Sequence, residues 1–245
     1  MNKLTNSILA ASFCLAGVTT AAPVTWTATP ATSASEVSNA GSTQWAYYFN
    51  STVGRPAIVN VNGVDFIRVS AGDSSSSPGL LRGSNNTGTN FEDNNDFYLG
   101  PDANLNNILD GVTWGANGQF QVTGLNPGSD YQLQIFSSDD RASQAGRVLD
   151  IDGSWSTPNG SRQLENIDYT AGAAWTDPLS RRKAFLGTFT ADAITQDFFA
   201  IIDDGGTGQI DMNAAQLRLI PVPEPASMLT CAAGLGLLAL RRRRI

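Results

Sequence analysis

The sequence predicts an all-β fold: a jelly-roll-like β-sandwich with one short helix, flanked by an N-terminal signal helix and a C-terminal membrane helix. Three observations predict it. Apolar and polar residues alternate with a period of two in several short runs, the mark of strands buried on one face. Glycine, present 24 times, separates these runs together with Asn, Asp, Pro and Ser, as turns require. No βαβ alternation is visible, and no fixed-period repeat supports a β-helix, the nearest rival architecture.

The elements follow in chain order. Residues 1–21 open with Lys3, continue in an apolar run from Ile8 to Val18 and end in small residues, the plan of a secretory signal. Cleavage after Ala21 leaves Pro23 clear of the scissile bond, whereas cleavage after Ala22 does not. Phe13 precedes Cys14 where a lipoprotein signal needs a small residue, so lipidation is rejected. Strands are expected at Trp45–Phe49, Ala57–Val61 and Val64–Val69, the last two joined by Asn62-Gly63 as a tight primed turn. Pro101 and Asp102 start the one short helix, Leu105, Ile108 and Leu109 give it an apolar face, and Gly111 ends it. Phe120 and Val122 alternate with Gln119, Gln121 and Thr123; Tyr131, Leu133 and Ile135 alternate with Gln132 and Gln134. With Asn126, Pro127 and Gly128 between them, these two runs predict a hairpin. Four further strands are expected at Arg147–Ile151, Ala184–Thr190, Phe198–Ile202 and Ala215–Ile220.

Composition narrows the chemistry. Cys14 falls in the signal and Cys231 in the apolar tail, so the body between them holds neither a disulfide nor a thiol nucleophile. Histidine is absent, which removes His-dependent triads and His-bearing zinc sites. Apart from Lys3, Glu224 and Arg241–Arg244, the chain is acidic by about 11 charges, a balance that repels phosphate backbones and argues against nucleic acid as a partner. Enzymatic activity is not expected. Acid chemistry between paired carboxylates, as in a glycosidase, is the residual catalytic option, and no motif selects a pair.

Candidate ligand-binding residues are few. Asp139, Asp140 and Arg141 follow a strand end, with Asp150 and Asp152 soon after; such carboxylates and a planar guanidinium suit sugar hydroxyls or a structural Ca²⁺ ion, and equally suit a self-capped turn. Asp203, Asp204 and Asp211 resemble one copy of a glycine-rich calcium repeat, which needs several stacked copies to hold metal. Asp102, Asn104 and Asn106 have calcium-loop spacing without its Gly and Glu. A pyranose-stacking platform could draw on any of the five tryptophans, Trp26, Trp45, Trp114, Trp155 and Trp175, although a Trp in a sandwich more often packs in the core or rim; Trp155 and Trp175 sit in loop-like contexts and are the better exposed candidates. No cofactor is expected.

The tail is the most specific feature. Val222, Pro223, Glu224, Pro225, Ala226 and Ser227 form an extended proline-rich segment; Ala226–Leu240 carries no formal charge; Arg241, Arg242, Arg243 and Arg244 follow. As a helix the apolar stretch spans roughly 22 Å, short of a hydrocarbon core of about 30 Å, and the arginines hold its end on the cytoplasmic side. The three-part order resembles the PEP-CTERM sorting signal of bacterial exported proteins. That resemblance implies recognition by an exosortase-type membrane protease, with Pro223, Glu224 and Pro225 as substrate residues. It also implies transient insertion in the inner membrane, cleavage, and release to the cell surface or an extracellular polysaccharide matrix.

A second resemblance covers most of the body. "VNGVDF" at residues 61–66, "TGLNPGSDYQLQIFSSDDR", "IDG", "FLGTFTADAITQDFFAI" and "GQIDMNAAQLRLI" are similar to a β-sandwich domain of bacterial surface proteins, broadly like galactose-binding jelly rolls. It implies architecture and no activity. The expected organisation is therefore a signal peptide at 1–21, a sandwich at 22–220 and a sorting signal at 221–245, for an exported structural or glycan-contacting protein, with a carbohydrate-binding module as the alternative.

Overall fold

The computed structural model describes residues 24–50, 54–70, 78–82, 91–92, 101–116, 119–138, 148–152, 162–168, 182–203 and 209–221. Strands are numbered along the chain. The first sheet has seven: β1 (Thr25–Pro30), β12 (Arg182–Thr190), β9 (Asp130–Ser138), β15 (Ala214–Ile220), β2 (Ser42–Phe49), β4 (Val64–Val69) and β3 (Ile58–Val61), in that spatial order. The second runs β11 (Arg162–Asp168), β10 (Val148–Asp152), β13 (Thr195–Asp203), β14 (Gln209–Met212), β7 (Gly111–Ala116) and β6 (Phe91–Glu92). Beside it, β8 (Gln119–Thr123) pairs with β13, and β5 (Leu80–Arg82) with β8. Pairing is antiparallel except between β2 and β4.

The sheets face each other across an apolar core. Trp26, Tyr47, Phe49, Leu133, Phe185 and Leu217 of the first sheet pack toward Leu80, Phe120, Val122, Phe198 and Met212 of the second. Phe198 stacks on Phe120 at 5.2 Å between ring centroids and meets Trp26 edge-on at 6.1 Å. Gly187 sits opposite Trp26 in the register, and a Cβ there would lie 2.8 Å from the indole ring carbons, so the indole occupies the space a side chain would need.

The other face of the seven-stranded sheet is also buried. Tyr48, Phe66, Phe136, Ala184 and Ala214 pack against Leu105, Ile108 and Leu109 of helix α1 (Ala103–Leu109). The Asp102 carboxylate caps that helix by accepting from the amides of Asn104 and Leu105. Asn104 Nδ2 in turn donates to the Asn60 carbonyl at 3.0 Å, so the helix also covers part of the β3 edge.

The expected helix and its apolar face are present, as is the turn at Asn62 (φ 51°) and Gly63 (φ 79°), both in the left-handed region a primed turn demands. The hairpin through Asn126–Gly128 is not. β8 pairs with β13 and β5, β9 with β12 and β15, and residues 124–129 carry the chain from one sheet to the other. Both runs do point their apolar residues at one core, but from opposite sides of it, and alternation reads which face is buried without reading which sheet carries it. The nine expected strands are joined by β1, β5, β6, β7, β11 and β14. β1 (TWTATP) alternates but buries only Trp26, β14 (QIDM) alternates over just four residues, and β5 and β6, at 3 and 2 residues, are too short to show a period. Among the described residues no helix is long and apolar enough to cross a membrane; residues 1–21 and 226–240 lie outside them.

Candidate functional site

The residues proposed from sequence as ligand-binding, Asp139, Asp140, Arg141, Trp155 and Trp175, lie outside the described residues, as do Pro223, Glu224, Pro225 and Arg241–Arg244 of the tail. The strand ends that flank them are described, and their register sorts the candidates. Val148, at the start of β10, lies opposite Asp203 on one side and Asp168 on the other. Segments 139–147, 169–181 and 204–208 therefore each begin or finish at that one end of the β11–β10–β13 ribbon. Asp139–Arg141 belong to the first of these segments, Trp175 to the second and Asp204 to the third. Trp155 is different: its flanking residues, Asp152 and Arg162, are paired at the opposite end of β10. Asp150 and Asp152 stand within β10, opposite Ile201 and Phe199.

The strand end from which Asp139 follows is held by Asn213. Its side chain accepts from the Ser138 amide at 2.6 Å and donates to the carbonyls of Leu109 and Gly111 at 2.8 and 3.0 Å. Its own amide bonds Phe136 O, and its carbonyl accepts from the Phe49 amide. One residue thus ties together the end of β9, the end of α1, the start of β7 and the end of β2. Gly111 completes the knot, because a Cβ there would lie 2.1 Å from the Phe49 carbonyl oxygen. Arg182, opposite Ser138 in the register and 7% exposed, donates to Asn106 Oδ1 at 2.8 Å. Segments 139–147 and 169–181 accordingly begin and end, respectively, next to a paired, hydrogen-bonded set of strand ends, Ser138 and Arg182.

A second polar cluster lies further along the same face. Gln134 accepts from the Ser38 amide and donates to Glu36 O; Gln216 donates to Ser38 O and to Gln134 Oε1. Arg218 donates to the carbonyls of Asn39, Ala40 and Gly41, to Thr43 Oγ1 and to Gln216 Oε1. These bonds strap residues 36–41 onto the sheet. Burial works against the guanidinium charge and pushes the Arg218 pKa down, while the ring of carbonyl dipoles offsets that cost. The side-chain nitrogens of Gln134, Gln216 and Arg218 are each bonded to protein, so the cluster serves as a structural device.

Burial also assigns the described tryptophans and tyrosines. Trp26 and Trp45, 6% and 8% exposed, are core residues and offer no face to a sugar; the side chain of Trp114 lies outside the described residues. Tyr47 donates to Pro78 O at 2.8 Å and Tyr48 to Pro56 O. Burial raises both phenol pKa values, with Arg68 and Arg55 pulling the other way at Tyr48. Arg55 pairs with Asp110. Among the described residues no three of His, Cys, Asp and Glu stand close enough to hold a metal. Sequence reasoning missed Asn213 and Arg218; the available signal was three polar residues, Asn213, Gln216 and Arg218, interrupting an otherwise apolar C-terminal run, NAAQLRLI.

No protein-family model and no curated protein matches the chain. Among solved structures, the ANX2 ectodomain from Arabidopsis thaliana is similar at 10% identity and a TM-score of 0.49, over 74% of this chain and 50% of that one. The plant receptor-like kinase ANX1 gives 10% identity and a TM-score of 0.46, over 74% and 49%. The ANXUR1 extracellular domain from Arabidopsis thaliana gives 10% and 0.46, over 75% and 51%. This chain spans about half the length of each. At that identity and overlap the likeness assigns neither activity nor ligand.

Proposed function

We propose that the protein is an exported, non-enzymatic, jelly-roll-like sandwich that is directed to the cell surface or an extracellular matrix by a cleavable C-terminal sorting signal. The observation that carries this reading is the order of the tail: Pro223-Glu224-Pro225, an uncharged stretch to Leu240, then Arg241–Arg244. The prolines keep the first part extended and open to a protease, the apolar part enters the bilayer, and the arginines stop transfer. In this reading an exosortase-type membrane protease is the processing partner, and the chain resides in the inner membrane only as a precursor. Mass spectrometry of the native mature protein tests it. The expected species begins at Ala22 and ends near Pro225; a native protein still carrying Arg241–Arg244 overturns it.

A carbohydrate-binding role is the second reading, and one observation favours a particular form of it. Val148 and Asp168, which border the segments holding Asp139–Arg141 and Trp175, are paired at one end of the β11–β10–β13 ribbon, and Asp152 and Arg162, which flank Trp155, are paired at the other. An aromatic face beside carboxylates and a guanidinium is the chemistry that binds a neutral sugar. Glycan-array binding lost in Trp175→Ala and kept in Trp155→Ala is the expected result. Equal binding by both variants and the parent removes this form of the reading. Structural Ca²⁺ is compatible with these carboxylates, and a glycosidase needs a pair of them in a cleft, for which no described residue argues.

A further inference from the structure

The two ends of the sandwich leave it at one pole. The register runs Thr25, Thr188, Gln132, Arg218, Thr43 across five strands of the first sheet, and two residues further Thr190, Asp130, Ile220. Val24 enters β1 and Pro221 leaves β15 at this same edge of the sheet, three strand spacings or about 14 Å apart. Ser138, Arg182 and Asn213 stand toward the opposite end of β9, eight residues or about 27 Å from Asp130.

The tether at the terminal pole is short. Only residues 221–225 separate Ile220 from the uncharged stretch, a reach from Ile220 to Ala226 of at most about 22 Å. β15 is a central strand, hydrogen-bonded to β9 and β2 on its two sides, and Arg218 braces its last turn of backbone, so the tether starts at a fixed point. Turning the Ser138 pole toward the membrane would require chain running the length of β9, which exceeds what five residues supply.

The terminal pole also has the surface for such a neighbour. The turn from Ala191 to Ile194 is bonded to the 124–129 connection, with Ala191 N to Ser129 O at 2.9 Å and Leu125 N to Ile194 O at 3.0 Å. Ile194 is 67% exposed, more than Ile58 or Ile67. Around it Asn126, Pro127, Gly128 and Ala193 are exposed and uncharged, and Asp130 accepts from Thr190 Oγ1 at 2.6 Å. Asp192 is the exposed carboxylate there, so the fit is to an uncharged or zwitterionic interface and not to an anionic one.

We infer that the pole carrying Val24, Ile220 and the Ala191–Ile194 turn faces the bilayer while the chain is anchored, with Ile194 at the headgroup boundary, and that the Ser138–Arg182 pole points away from the membrane. This rests on the anchored precursor of the proposed function and adds to it a fixed orientation and a lipid-contacting residue.

The test uses the full chain, with Cys14→Ser and Cys231→Ser, expressed in a bacterial host that lacks a processing protease for the tail. A single environment-sensitive fluorophore is attached in spheroplasts at Ile194→Cys or at Ala57→Cys. Ala57 is exposed, and its carbonyl accepts from the amide of Arg68, which lies in the row of Tyr48, Ala214 and Phe136, about 20 Å from the terminal pole. Expected are a blue-shifted emission at position 194 with strong energy transfer to a lipid-phase acceptor, and neither at position 57. Equal signals at the two sites, or the reverse order, in a membrane-bound protein overturn the orientation alone. A protein absent from the membrane fraction overturns the anchored reading and this inference with it.

Discussion

The two faces of the seven-stranded sheet are buried to a similar depth by different means. On the inner face Phe120, Phe198, Trp26 and Leu133 meet as rings and branched chains, and the buried Trp26 indole N–H has no hydrogen-bond partner among the described residues. On the outer face the apolar group around Tyr48 and Phe136 gives way to Gln134, Gln216 and Arg218, which are 2%, 0% and 5% exposed beneath residues 36–41. The inner face is held by non-directional contact, where volume decides the outcome. The outer face is held by donors and acceptors whose partners are mainly backbone atoms of one strap, together with Thr43 Oγ1 and one another, where each lost bond strands a specific group.

The largest effect is expected on the inner face. Phe198→Ala empties the site between Phe120, Phe189 and Trp26 and lowers stability by about 3 to 5 kcal/mol, seen as a shifted urea midpoint with the whole fold unfolding together. Arg218→Met sharpens the contrast. It keeps much of the volume, removes five donated hydrogen bonds and lowers global stability by about 2 to 3 kcal/mol, with amide exchange at Ser38 and Gly41 rising well before that of Leu133. If those amides stay as protected as the core, the strap is held by something other than this cluster.

The smallest effect at neutral pH comes from the tyrosines, one on each face. Their folded pKa values are raised by burial, so the stability they contribute is fully present below the unfolded value near 10 and is lost as pH rises above it. An alkaline titration of the unfolding midpoint should therefore fall beyond about pH 10, and Tyr47→Phe with Tyr48→Phe should flatten that fall. An unchanged slope in the double variant places the alkaline sensitivity elsewhere.

How much of this was legible depends on which face a residue occupies. Trp45–Phe49, Val64–Val69 and Ala184–Thr190 announce themselves because their inward residues are large and apolar, and α1 announces itself through Leu105, Ile108 and Leu109 with Asp102 at its start. Gln134 reads as a solvent residue by alternation and is buried, because the strap that covers it supplies Glu36 O and the Ser38 amide from nearly 100 positions away. For the candidate site the legible part was residue type: acids, an arginine and loop tryptophans. That Val148 and Asp168, the residues bordering the segments of Asp139 and Trp175, meet at one strand end, and the residues flanking Trp155 at the other, came from the register of β10.

Composition and local pattern by themselves determined the all-β class, the helix, the turn at Asn62-Gly63, the absence of thiol and imidazole chemistry in the body, and the three-part order of the tail. Each depends on neighbours a few residues apart, where backbone geometry and side-chain chemistry act directly. Only the tertiary structure decided that residues 124–129 cross between sheets, that Arg218 is satisfied by carbonyls and that Val24 and Ile220 share a pole. Those outcomes are set by pairing between strands far apart in the chain, and a period-two pattern is satisfied equally by many such pairings.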